Sequence, residues 1–165
     1  KYVSNNPSDA RNHFYGLKEA VPELKGIAIY DRLDKDLQQT ELKEIMWKRR
    51  EIENYLPIPD VIERYLQQQP VDLFSRHDIS RMKTLINDYI PPAAVKDRSE
   101  SWWNDVKMSN DFLDKVFGKY FEKVRMPVLL DKGNYYELAL LAKPEELDSE
   151  IKEKLDAIHE VIEKA

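Results

Sequence analysis

Trp47-Lys48-Arg49-Arg50-Glu51-Ile52-Glu53-Asn54-Tyr55-Leu56 is the stretch that decides how this chain is read. Ile45-Met46-Trp47 leads into it as a short apolar run and reads as a strand. Glu51 and Glu53 then fall in the first turn of a helix. Upstream lies a second apolar run, Gly26-Ile27-Ala28-Ile29-Tyr30-Asp31, which ends in an aspartate. A buried strand that delivers a carboxylate at its C-terminal end is the usual place for an α/β site. Two such strands are expected to bring Asp31 and Glu53 to the same edge of one sheet.

Composition bounds what surrounds that sheet. At 165 residues, 42% of them hydrophobic and 10% aromatic, the chain suits one domain able to fill a core. Such a domain buries roughly 70% of the surface of its unfolded chain. Charged residues make up 35% and the net charge is −5, which argues against a dedicated nucleic-acid coat but not against a local basic patch. With no cysteine, disulfides and thiolate metal sites are excluded, and a reducing cytoplasm is the expected compartment. No apolar run approaches a membrane span and no signal peptide is visible. The chain opens at Lys1 rather than methionine and reads as a piece of a longer protein. It has four glycines and no GxxxxGK[ST] motif, so it carries no P-loop for ATP.

The remaining elements follow from periodicity and breakers. Tyr2-Val3 is a short candidate strand. Ser8 is a candidate N-cap for a helix that Pro22 stops, with Phe14, Leu17 and Val21 on one face. Leu24 to Tyr30 and Leu42 to Trp47 read as strands, joined by a polar loop from Arg32 to Glu41. Glu51 to Gln69 reads as helix broken by Pro57 and Pro59. Asp78 to Ile90 has Ile79, Met82, Leu85, Ile86 and Tyr89 at helical spacing, and Pro91-Pro92 ends it. Asp111 to Val124 carries Phe112, Val116, Tyr120 and Val124. Met126 to Leu130 reads as a last strand and Tyr135 to Ala142 as a helix. Glu145 to Lys164 carries Leu147, Ile151, Leu155, Ile158 and Ile162. The predicted class is α/β and helix-dominant: a small parallel sheet flanked by helices, with a helical C-terminal half. Residues 1–70 hold the sheet and the site carboxylates, and residues 71–165 are mostly helical and carry a candidate lysine.

The aspartate strand followed by the Arg50-to-Leu56 segment resembles the TOPRIM domain found behind the ATPase module of overcoming-lysogenization-defect (OLD) family proteins and related AAA- or ABC-type ATPases. The resemblance covers most of the chain. It implies a metal-dependent DNA nuclease, with Mg²⁺ or Mn²⁺ as cofactor and a role in phage defence. Its metal ligands map to Asp9, Asp31, Asp34 and Glu53, and its catalytic residues to Glu53 and to Lys132 in Asp131-Lys132-Gly133-Asn134-Tyr135-Tyr136-Glu137. The family glutamate that precedes the Asp9 position is replaced by Ser4 or Asn5. The family's Asp-x-Asp pair becomes Asp31-Arg32-Leu33-Asp34, with leucine in the second acidic place and Asp34 one residue late. Expected partners are DNA, the ATPase module of the same longer chain and a second copy of this chain, with no membrane. The departures open an alternative, a domain that has lost catalysis and serves as an interaction or regulatory module of its ATPase.

Each residue also has a plain structural reading. Asp9 suits a helix's first turn, where the helix dipole favours an acid. Asp31 suits a turn, Glu53 a solvated helix start and Lys132 a surface. Lys48, Arg49 and Arg50 form the densest basic run, suited to guiding a nucleic-acid backbone or to pairing with nearby acids. Trp102 and Trp103 before Lys107 suit base stacking or, more commonly, helix packing. His13, His77 and His159 lack metal-ligand spacing and read as structural.

Overall fold

The computed structural model describes residues 1–68 and 75–163 and is helix-dominant, with one small parallel sheet. Two compact units divide the chain: Lys1–Lys48 with Asp148–Ala165, and Arg49–Leu147.

The first unit is built on helix α1 (Pro7–Lys18) and strands β1 (Ile27–Tyr30) and β2 (Lys43–Met46). Asn6, not Ser8, caps α1: its side chain accepts from Ser8 N at 3.1 Å, and Pro7 takes the first helical position, where no N–H is needed. Tyr2-Val3 forms no strand, because Ser4 and Asn5 turn the chain in the left-handed region (φ 47° and 57°) and Asn6 N donates back to Val3 O. The strands pair in parallel, with Ile27 opposite Lys43 and Tyr30 opposite Met46. Ala10, Phe14, Tyr30 and Leu42 form the core between α1 and the sheet, and Leu33 and Met46 pack against it. Of the apolar face expected on α1 only Phe14 is buried; Leu17 and Val21 are about half exposed.

Two features fix α1 to the sheet. Glu44 has a side chain shielded from solvent and accepts from Tyr30 Oη (2.7 Å) and from Arg11 Nε (2.8 Å). Burial, and then the Glu44 carboxylate, push the Tyr30 phenol well above its usual range, so Tyr30 remains the donor. Gly26 is the second: a Cβ there would lie 2.9 Å from a Phe14 ring carbon and 3.1 Å from Leu42 Cδ1. Gly26→Ala should therefore lower stability by about 1–3 kcal/mol in chemical denaturation.

The second, central unit spans Arg49–Leu147. Its elements are a 3₁₀ turn (Ile52–Tyr55), α2 (Asp60–Gln68), α3 (Ser75–Tyr89), α4 (Pro92–Lys96), α5 (Trp102–Asp105), a π-helical segment (Met108–Leu113) running into α6 (Asp114–Val124), and α7 (Tyr136–Ala139). Pro57 and Pro59 keep the 3₁₀ turn and α2 apart, as expected from proline's missing N–H. Gln69 lies outside the described residues, as does the side chain of His77. One core cluster joins Ile58, Val61 and Ile62 to Met82, Leu85 and Ile86 of α3 and to Phe112, Val116 and Phe117. The Trp pair serves packing: Trp103 is buried and donates its indole N–H to Ala94 O (2.9 Å), and Trp102 meets Phe112 edge-on.

Helix α6 ends at Arg125 in the left-handed region, where Met126 N returns to Phe121 O. The strand expected over Met126–Leu130 is absent among the described residues; Leu130 is buried, while Met126, Val128 and Leu129 are exposed. Arg64 clamps the end of the unit, donating to Leu141 O (2.6 Å) and in a fork to Glu146. Those hydrogen bonds, with one from Lys143 N, hold the Glu146 carboxyl down at about 2. A depressed acid stabilises the fold above the ordinary carboxylate range, and the contribution is lost as pH falls through it. Glu146→Gln should flatten the decline of melting temperature with acid between about pH 5 and pH 2.

The first unit also takes in helix α8 (Ser149–Glu163). The apolar stripe expected to face inward does not do so as a whole: Leu155 and Ile162 are exposed, and Glu150 and Lys154 are buried instead. Burial is tolerable because the two neutralise each other at 3.2 Å and Glu150 also accepts from Lys48 N at 3.0 Å. Lys43 pairs with Glu160 at 3.0 Å.

Candidate functional site

Residues Arg49–Leu56 form a hydrogen-bonded hub in the central unit. Asn54 is buried; its Oδ1 accepts from Glu51 N (3.0 Å), and its Nδ2 donates to Trp103 O (2.9 Å) and Val106 O (3.0 Å). Tyr55 Oη accepts from Arg49 N (3.1 Å), and the Arg49 guanidinium lies 4.5 Å from the Tyr55 ring centroid while donating to Asn54 O. Arg50 N donates to Asn104 O (2.9 Å). Of the basic run, then, Arg49 and Arg50 help hold this turn. Lys48, in the first unit, keeps an exposed side chain 3.6 Å from Glu153.

Glu51, which the sequence reading did not single out, is the buried acid of the hub. Its Oε2 accepts from Ser109 N (3.0 Å) and Ser109 Oγ (2.8 Å), and its Oε1 lies 3.8 Å from Lys132 Nζ. The same ammonium donates to Ser109 Oγ at 3.3 Å. Lys132 is carried by a turn in which Gly133 N donates to Asp131 Oδ1 and Asp131 N to Asn134 Oδ1, each at 2.7 Å. Beside it Tyr135 is buried and donates to Asp114. Burial first, then that carboxylate, then the charges of Asp131 and Glu53, drive the Tyr135 phenol far above its usual range. Glu53 is itself half-buried. An open groove of about 360 Å³ beside the lysine is lined by Asp114, Gly118, Val128, Leu130, Asp131 and Lys132.

Asp9, Asp31 and Asp34 belong to the first unit. Asp9 stands in the first turn of α1 and accepts from Asn6 Nδ2 (3.0 Å). Asp31 follows β1 and is half-buried, and Asp34 is exposed. Asp9 and Asp31 each adjoin a residue of one core cluster, Ala10 and Tyr30. The Oδ1 of Asn5, where the family glutamate was expected, is buried and has no hydrogen-bond partner among the described residues. These donors are hard oxygens, the kind that Mg²⁺ and Mn²⁺ take. Among the described residues no three His, Asp or Glu side chains are grouped to hold an ion.

Sequence reasoning missed Glu51 and Ser109. The one signal for Glu51 was its place two residues before Glu53; Ser109 carried none. Among the described residues no helix is long and apolar enough to cross a membrane. No protein-family model, curated protein or solved structure matches the chain.

Proposed function

We propose that the chain is a TOPRIM-like module that hydrolyses DNA phosphodiesters with Mg²⁺ or Mn²⁺, working beside an ATPase of the OLD kind. One observation carries the reading. The Arg49–Leu56 part of the deciding segment and Lys132, distant in sequence and assigned to one catalytic site by the resemblance, are joined through Glu51 and Ser109 within one compact unit. Hydrolysis forms a bond from water oxygen to phosphorus, breaks the bond to a sugar oxygen and returns a proton to that leaving oxygen. Asp9, Asp31 and Asp34 are the candidate ligands in the first unit, and Glu53 is the candidate in the central unit. A bound ion supplies Lewis acidity and an activated water. Lys132 offers a compact positive charge for the phosphate oxygens as negative charge builds up.

The test is calorimetric titration of Mn²⁺ together with nicking of supercoiled plasmid. Wild type is expected to bind saturably and to cut, and Asp31→Ala to lose both. Absence of binding and of cutting in wild type would sink the reading.

A second reading has its own observation. Leu33, in the second acidic place of the family, packs against Ala10, Phe14, Tyr30 and Leu42, so the position is given over to the core. On that reading the module has lost catalysis and acts as a regulatory or contact domain of its ATPase. Pull-down of the ATPase module by this chain, unaffected by Asp31→Ala, together with no cutting, is the result it requires.

A further inference from the structure

We infer that Glu51 is the positioning residue for Lys132, an inference that rests on the nuclease reading above and deepens it. Burying a carboxylate is costly unless it is paired and hydrogen-bonded, and Glu51, 4% exposed, meets both conditions in a divided way. Its Oε2 is anchored by two donors of one residue, Ser109 N and Ser109 Oγ. Ser109 is itself fully buried in the π-helical segment that opens α6. Such segments are frequent at functional sites. Asn54 pins the Glu51 backbone from the other side. The remaining oxygen, Oε1, is directed at Lys132.

Lys132 needs such a partner. Its side chain is 57% exposed, and a lysine is a point charge on a flexible stem. A pair between two mobile surface chains contributes only about 0–1 kcal/mol and fixes neither. Here one partner is immobile, and the Ser109 hydroxyl gives the ammonium a second contact. The ammonium is thereby held at the rim of the groove lined by Asp114, Asp131 and Leu130. A merely structural Glu51 would join the 3₁₀ turn to the π segment and have no bearing on where the lysine charge sits.

The experiment uses the whole chain, supercoiled plasmid and Mn²⁺. Glu51→Gln keeps an oxygen for Ser109 but removes the charge. It is expected to lower kcat about 10- to 100-fold with KM for DNA nearly unchanged, because the lost interaction acts in the transition state. Glu51→Asp is expected to restore part of kcat. Loss of melting temperature with unchanged kcat overturns the inference. If Glu51→Gln does not fold, Ser109→Ala, which leaves the Ser109 N–H in place, carries the same test with a smaller loss. If wild type does not cut at all, the nuclease reading fails, and nuclear relaxation of the Lys132 ε-carbon still decides the positioning. Lys132 is then expected to be more ordered than exposed Lys152 in wild type and equally mobile in Glu51→Gln. Equal mobility of Lys132 in both proteins overturns the inference.

Discussion

Lys132→Ala is expected to slow metal-dependent plasmid cleavage about 10²- to 10³-fold, the cost of losing one preorganised group that meets developing charge. Its effect on folding should be small. The lysine side chain is mostly exposed and its ion pair with Glu51 is long at 3.8 Å, so water already solvates much of its charge. Glu51 does not become an orphan when the lysine goes, because both hydrogen bonds from Ser109 remain. A time course of nicking, run beside a thermal melt, separates the two effects. Equal residual cutting by wild type and variant would mean that the activity belongs to something else in the preparation, and the non-catalytic reading would stand.

Asn54→Ala should be the most damaging single change to stability outside the apolar core. The side chain is buried and spends its oxygen and both of its amide protons within the protein. Its removal strands Glu51 N and the carbonyls of Trp103 and Val106. Each buried group left unpaired costs about 1–3 kcal/mol, so a loss of about 3 kcal/mol or more is expected in urea unfolding. Asn54→Asp should be nearly as harmful: a carboxylate can still accept from Glu51 N but has no proton for the two carbonyls. A loss below about 1 kcal/mol for both variants would remove Asn54 from its place as the hub of the turn.

Much of the architecture was readable from local pattern. Ile27–Tyr30 is a short apolar run and Lys43–Met46 lies within the Leu42–Trp47 stretch read as a strand, and the two pair in parallel as read. Met82, Leu85 and Ile86 are buried on α3, at the spacing that marked the helix. What failed depended on partners distant in sequence. Met126–Leu130 has the composition of a strand, but a strand also needs a neighbour to bond with, and composition cannot supply one. On α8 the periodicity marked a stripe without fixing its direction, and the Glu150–Lys154 pair let charged residues take the inward face. At the candidate site, the pairing of Glu53 with Lys132 was an expectation of the resemblance alone, while the contact the structure gives Lys132 is to Glu51 and Ser109. The burial of Glu51 depends on Ser109, 58 residues further along, and no local rule reaches that far.

The two-segment make-up of the first unit sets an order of assembly on the ribosome. Residues Arg49–Leu147 are continuous, so the central unit has all its own contacts available once Leu147 has emerged. The first unit still lacks its final segment at that moment, including Glu150 for Lys48 N and Glu160 for Lys43. Domains fold as units during synthesis, and contacts between distant segments form late. Nascent chains arrested after Leu147 should therefore display a protease-resistant centre while the Asp31 end is still open to digestion.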